Sequence, residues 1–462
     1  MTFLKFMGLI GLLSLCQAGL AQTTQPLKKG LVVDTLTCAQ QPHHSYAYYL
    51  PSNYDPAKKW PIIYIFEPAA RGALPVDSFR MAAEQYGYIL VGSNNSRNGA
   101  WEMMFEAADY LFADVEQRFS VEVRRRYTSG FSGGSRMALA VAALTDKVAG
   151  VIACGAALPN NQAYCPTEKS NFAYYGLVGN RDMNFQEMYR LEDQLIDWQI
   201  PTRLRIFPAG HQWPSPTLLM EAVAWMDLQA MDRGGLETNA VFVEQQEQVL
   251  LRRIEDLKTR EAWYDLARHY AYGLQDFGTE ENTFKASLAA LQSSDVYTEA
   301  VHEWEYLREQ EWAQRRRLSD EIGRLEWQNG VKDSLHRVWK KNIGQLRQQI
   351  ADAPRLQSQM ADRILNLITA QCVEWGWDRM GRAEWDKAIQ LFKLWTIIEP
   401  ETAWAYYNLA KAQCLKGKKK AAIKSLGKAL EYGLDVTMLS EDRTFDSIRT
   451  TKKYKKMLAK AK

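Results

Sequence analysis

Histidine is scarce in this chain: 6 among 462 residues, with no two near a cysteine pair that could share a metal. Cysteine is equally scarce at 6, and no CxxC spacing occurs. A structural zinc site needs four such ligands at short spacings, so that class is excluded and no metal or cofactor is expected. A charge excess is also missing. Lys and Arg number 57 against 54 Asp and Glu, for a net +3, so composition gives no reason to expect nucleic acid as a partner. The positive charge is local, at Lys416, Lys418, Lys419 and Lys420 and again from Lys452 to Lys462. It reads as a solvated helical face and tail, with contact to an acidic surface as the alternative. Long apolar runs are absent after the first 21 residues, so no transmembrane segment is expected.

The N-terminus has the layout of a secretory signal. Lys5 precedes an apolar run from Phe6 to Leu15, and Ala18-Gly19-Leu20-Ala21 supplies the small residues of a cleavage site. The expected signal peptide is 1–21 and the expected location periplasmic or extracellular. Lipid attachment at Cys16 ranks second, because Leu15 is bulky where such signals carry a small residue. Cleavage leaves Cys38, Cys154, Cys165, Cys372 and Cys414, an odd number, so at least one is unpaired within the chain. Cys154 and Cys165 either close a small loop or stay unlinked.

The length calls for two or three domains. Between about 30 and 232, apolar strand-like runs (Ile62–Phe66, Tyr88–Gly92, Gly150–Cys154, Ala173–Val178, Arg203–Phe207) alternate with amphipathic helical stretches. That alternation predicts an α/β domain with a mostly parallel sheet covered on both faces. Arg233-Gly234-Gly235-Leu236-Glu237-Thr238 reads as a linker. From 240 onward strand signals nearly vanish and an all-α region is expected, as helices over 240–368 and as repeats over 369–462 with a basic tail. In the latter, Ala388 and Ala422, Gly376 and Ala410, and Trp375 and Leu409 recur at the spacing of about 34 residues that marks tetratricopeptide (TPR) units. Trp395 departs from that pattern, where a small residue is usual.

Gly130-Phe131-Ser132-Gly133-Gly134 fits G-x-S-x-G, the turn that presents a nucleophilic serine between a strand and a helix. A strand-like run ending in Arg126-Tyr127-Thr128 precedes it, and the Ala-rich Arg136–Leu144 follows. Histidine scarcity then narrows the base. His43 and His44 precede the serine, and His269, His302 and His336 lie in the helical region. That leaves His211, in the loop after the last strand, in the chain order serine, acid, histidine. Asp182, after the strand ending in Leu177-Val178-Gly179, is the nearest acid; its competing role is a helix cap near Asn184. Gly133 is the expected first oxyanion donor, from the amide that follows the nucleophile. The loop Phe66-Glu67-Pro68-Ala69-Ala70-Arg71-Gly72 should supply the second. Pro68 has no N–H, which leaves Ala69, with Ala70 next. Trp101, Met183 and Trp213 are candidate pocket residues, or simply core.

Together with Tyr48-Tyr49-Leu50-Pro51, Trp60-Pro61 and Gly210-His211-Gln212-Trp213, these features resemble an α/β-hydrolase of the secreted esterase kind. The resemblance is to the polyhydroxybutyrate-depolymerase and feruloyl or acetylxylan esterase group, over about 45–232. It implies hydrolysis of carboxylic esters, small or polysaccharide-linked, through an acyl-enzyme on Ser132, Asp182 and His211. The sequence departs where that group usually has His-Gly and this chain has Glu67-Pro68. Two other readings stay open: a catalytically silent hydrolase platform whose TPR-like region binds a protein partner, and a serine peptidase on the same fold.

Overall fold

The computed structural model describes residues 27–278, 283–327 and 333–460. The expected signal segment, with Cys16, lies outside them. The first unit is built on eight strands: β1 (Val33–Thr37), β2 (Ser45–Tyr49), β3 (Trp60–Phe66), β4 (Ile89–Ser93), β5 (Val121–Phe131), β6 (Gly150–Cys154), β7 (Ala173–Gly179) and β8 (Thr202–Phe207). Their order in the sheet is β1-β2-β4-β3-β5-β6-β7-β8. β2 runs antiparallel to both β1 and β4, and every other pairing is parallel. This is the strand order of an α/β-hydrolase fold. Five helices cover it: α1 (Ala73–Tyr86), α2 (Trp101–Arg118), α3 (Gly133–Thr145), α4 (Phe185–Asp197) and α5 (Pro216–Asp232).

The strands are apolar on both faces because both faces are buried. Along β3, Ile62, Tyr64 and Phe66 join one core with Leu111 and Val115 of α2, Leu139 of α3 and Leu191 of α4. Ile63 and Ile65 join the opposite core with Phe79 of α1 and Trp225 of α5. The period of two along a strand produces this division. The antiparallel start lies ahead of the expected first strand at Ile62: β1 is largely exposed, whereas β2 is buried.

A helical region follows: α6 (Ala240–Thr259), α7 (Trp263–Phe277), α8 (Thr283–Gln292), α9 (Asp295–Trp327), α10 (Asp333–Asp352), α11 (Arg355–Gly381), α12 (Trp385–Ile398), α13 (Ala403–Leu415), α14 (Lys419–Glu431), α15 (Val436–Glu441), α16 (Asp446–Arg449) and α17 (Lys452–Lys460). It contains no strand among the described residues, and none of its helices is long and apolar enough to cross a membrane. The five cysteines from Cys38 onward are free thiols, so Cys154 and Cys165 are unlinked.

The helical region is fastened to the sheet rather than strung from it. β8 is an edge strand, and an uncovered edge exposes a row of unpaired backbone groups. Here α7 covers it. Gln275 Oε1 accepts from the Thr202 amide at 3.1 Å, and the Tyr272 hydroxyl accepts from the Leu204 amide at 3.1 Å. Asp276 takes charge-assisted contacts from Arg203 at 2.6 Å and from the Trp225 indole at 2.9 Å. Glu192 of α4, fully buried, meets Arg268 and Tyr272 of α7, and the Tyr189 hydroxyl donates to Asp265 at 2.8 Å.

α7 also carries a pH liability. His269 is buried, with Nδ1 2.7 Å from the Asp265 carbonyl, and desolvation pushes its pKa down to about 3. The unfolded chain titrates this group near 6.5, so below that pH the unfolded state binds the extra proton and stability falls, by up to about 1.4 kcal/mol per pH unit. The expected result is a lower urea midpoint at about pH 5 than at about pH 7, a gap that His269→Gln narrows because glutamine does not titrate.

Candidate active site

Ser132 stands between β5 and α3 with φ 53° and ψ −120°, a backbone conformation that side chains rarely adopt and that marks a strained turn. Close packing holds it there. The Ser132 amide donates to the Cys154 carbonyl at 2.9 Å. A Cβ on Gly130 would sit 2.2 Å from the Gly134 carbonyl oxygen, and one on Gly134 would sit 2.0 Å from that of Phe66. Only hydrogen fits at either position, so the two glycines of the motif let the turn rest on the end of β3.

Asp182 and His211 come from adjacent strand ends. β7 and β8 are paired through Gly179 and Phe207, and the pairing continues beyond them. The Asn180 amide donates to the Phe207 carbonyl at 2.8 Å, and the Arg181 amide to Ala209 at 3.0 Å. The two loops therefore leave the sheet side by side. His211 Nδ1 lies 3.0 and 2.9 Å from the two carboxylate oxygens of Asp182, and its Nε2 lies 2.9 Å from Ser132 Oγ. Asp182 is fully buried; the His211 side chain keeps 20% of its exposure. The Asn184 amide donates to Asp182 Oδ1 at 2.8 Å. This is a turn ahead of α4, whose N-cap is Asn184 with no side-chain cap bond, so the alternative role of Asp182 as a helix cap is not what its carboxylate does here. The carboxylate favours the tautomer with the proton on Nδ1, which leaves Nε2 as an acceptor facing the hydroxyl.

The loop after β3 differs from expectation at Ala69. Its amide donates to Glu67 Oε2 at 2.7 Å, the Arg71 amide donates to the same oxygen at 3.2 Å, and the Ala70 amide is taken by the Glu67 carbonyl at 2.9 Å. The other carboxylate oxygen receives the Arg71 guanidinium. Glu67 is fully buried and acts as the anionic centre of this loop. An amide already committed to a carboxylate is not free for an oxyanion, so neither Ala69 nor Ala70 is available as a donor in this arrangement.

A side chain from another loop stands beside Gly133. The segment after β4 runs along the same loop, with Ala69 bridged to Arg97 and the Asn98 amide bonded to the Pro68 carbonyl at 2.9 Å. This sets the Asn98 carboxamide against Gly133: a Cβ on Gly133 would lie 1.8 Å from Asn98 Oδ1 and 3.1 Å from Nδ2. No one-dimensional signal marks Asn98, because its position depends on a bridge between two loops.

Of the pocket candidates, Trp213 packs tilted against Phe131 at 5.4 Å between ring centroids, and Phe131 tilted against the His211 ring at 4.6 Å, so Trp213 is one ring removed from the imidazole. Trp101 donates to Asn160 Oδ1 at 2.8 Å and meets Tyr164 edge-on at 5.0 Å. Met183 follows Asp182 and is partly buried. No group of three or more His, Cys, Asp or Glu able to hold a metal occurs among the described residues.

No family model matches this chain, and no curated protein matches it. Solved structures are similar over the first unit. An S-formylglutathione hydrolase from Staphylococcus aureus is 14% identical, covers 43% of this chain and 98% of its own, and gives a TM-score of 0.36. A ferulic acid esterase is 17% identical over 42% of this chain and 97% of its own, TM-score 0.34. An S-formylglutathione hydrolase from Agrobacterium tumefaciens is 14% identical over 40% and 88%, TM-score 0.34. The likeness is one of fold.

Gly134→Ala forces a methyl group into the Phe66 carbonyl. It is expected to destabilise the protein by about 1–3 kcal/mol, the cost typical of overpacking. A thermal-unfolding midpoint equal to that of the unsubstituted protein would contradict the packing described.

Proposed function

We propose that this protein is an exported serine hydrolase that cleaves carboxylic esters through an acyl-enzyme. The observation that carries the reading is the unbroken line of contacts from buried Asp182 through His211 to the Ser132 hydroxyl, at 2.9 Å on either side of the imidazole. In this reading His211 Nε2 takes the Ser132 proton as Oγ attacks the ester carbonyl. The imidazolium, stabilised by Asp182, then gives that proton to the departing alcohol. Water repeats the sequence on the acyl-enzyme: His211 takes its proton, its oxygen attacks the acyl carbon, and the acid leaves as Ser132 Oγ regains a proton.

The developing oxyanion needs two donors. We assign the first to the Gly133 amide and the second to Asn98, in place of Ala69. A half-turn of the carboxamide exchanges Oδ1 and Nδ2, so an N–H can face the space beside Gly133. An amide side chain is a known solution to this demand. Export rests on the signal-like segment 1–21, and the substrate is a small or polysaccharide-linked ester.

For the helices after 369 we propose TPR-like pairing and a protein partner. The 34-residue spacing supports this, together with full burial of Ala388, Ala410 and Ala422 and the Phe392 ring packed against Gly376.

Two outcomes test the chemistry. Ser132→Ala abolishes hydrolysis of p-nitrophenyl acetate, whereas retained activity would remove Ser132 as nucleophile. Asn98→Ala lowers kcat by about 10²–10³-fold with little change in KM, the usual signature of one lost oxyanion donor. Unchanged kcat would return the second donor to the backbone.

A further inference from the structure

The loop that carries Asp182 is held from two sides. On its N–H side, Asn180 and Arg181 are bonded to Phe207 and Ala209, the residues that lead to His211. On its C=O side the partners come from the helical region. Arg363 Nη1 donates to the Asn180 carbonyl at 2.9 Å, and Asn366 Nδ2 donates to the Arg181 carbonyl at 2.9 Å. Both belong to α11, more than 180 residues away along the chain. These are the two peptide units immediately before the acid.

Arg363 is itself fixed. Its guanidinium reaches Glu311 of α9 through Nη2 at 2.6 Å and Nε at 3.1 Å, and it lies 4.4 Å from the centroid of the Phe185 ring. Glu311 is fully buried, is also paired with Arg315 at 2.6 Å, and accepts from Gln186 at 2.9 Å. Phe185 and Gln186 open α4, the helix that begins three residues after Asp182. A further ion pair, Arg181 with Asp362 at 3.6 Å, lies beside these contacts. Burial opposes the Glu311 charge, but Arg363 and Arg315 hold its carboxyl below the usual carboxylate range. The Arg363–Glu311 pair is therefore a rigid charged unit with a guanidinium N–H to spare, directed at the acid loop.

We infer that α9 and α11 form a positioning brace for the hydrolase site: Arg363 and Asn366 set the orientation of Asp182, and through it that of His211. The helical region then completes the site, beyond any role in partner binding. This rests on the Ser132–His211–Asp182 reading. Arg363 and Asn366 are positioning residues, since neither touches the nucleophile or the imidazole.

The test uses the full-length protein with p-nitrophenyl butyrate, comparing Arg363→Ala, Arg363→Lys and Asn366→Ala with the unsubstituted chain. Folding is checked by circular dichroism. Misplacing an orienting group by about 1 Å can cost up to about 100-fold in rate, so Arg363→Ala is expected to lower kcat by about 10–100-fold while KM stays within about threefold. Arg363→Lys, which keeps a charge and a donor, recovers most of the loss. Asn366→Ala, a partly exposed site, lowers kcat in the same direction by a smaller factor, and it carries the test alone if Arg363→Ala does not fold. The rate of labelling by a fluorophosphonate falls in parallel with kcat. Folded variants with unchanged kcat and labelling rate, or a change confined to KM, would overturn the brace. Ser132→Ala run alongside separates the two failures: activity surviving in that variant refutes the nucleophile, and altered α11 variants then say nothing for Asp182.

Discussion

The first unit depends on a carboxylate fully removed from water, Asp182, whose surroundings hold it in one orientation. Asp182 meets His211 with both oxygens and the Asn184 amide with one. A buried charge is costly unless it is paired and hydrogen-bonded, so its partners cannot move far without loss. The close approach of Gly179 to Ala209, the paired loops beyond β7 and β8, and the two α11 donors all constrain the same short segment. Covering the edge strand β8 with α7 belongs to the same construction, because that strand leads to His211.

The loop after β3 shows a second buried carboxylate used differently. Glu67 gathers the amides that an ester hydrolase of the resembled group would offer to substrate, and Arg71 balances its charge. In a loop organised around this internal carboxylate, the Ala69, Ala70 and Arg71 amides are already engaged. The segment at 97–98 is strapped to this loop and sets the Asn98 carboxamide beside Gly133. The Glu67-Pro68 departure and the position of Asn98 are thus two sides of one arrangement.

Much of this was legible in the order of the residues. Apolar runs with helical stretches between them placed β3, β4, β6, β7 and β8 within a residue or two, because strands buried on both faces leave an unmistakable pattern. The small residues around Ser132 marked the turn, and the scarcity of histidine singled out His211. Local pattern reaches less far at the sheet's antiparallel margin, where β1 is exposed and only its pairing with β2 defines it. It does not reach Asn98 or Arg363 at all. Asn98 matters through a bridge between two loops. Arg363 reads as an ordinary charge on a long helix, and its meaning comes from contacts with residues far back in the chain. The engagement of the Ala69 amide is hidden from local pattern for a related reason: the carboxylate that captures it is two residues away, but the capture depends on the loop's folded shape.

The central claim is that Ser132 is a nucleophile activated by His211. The most direct measurement is mass spectrometry of the folded, full-length protein after reaction with a fluorophosphonate probe. The account predicts one adduct per chain, on the peptide containing Ser132. A folded protein that remains unlabelled, or one labelled at a different residue, would contradict it.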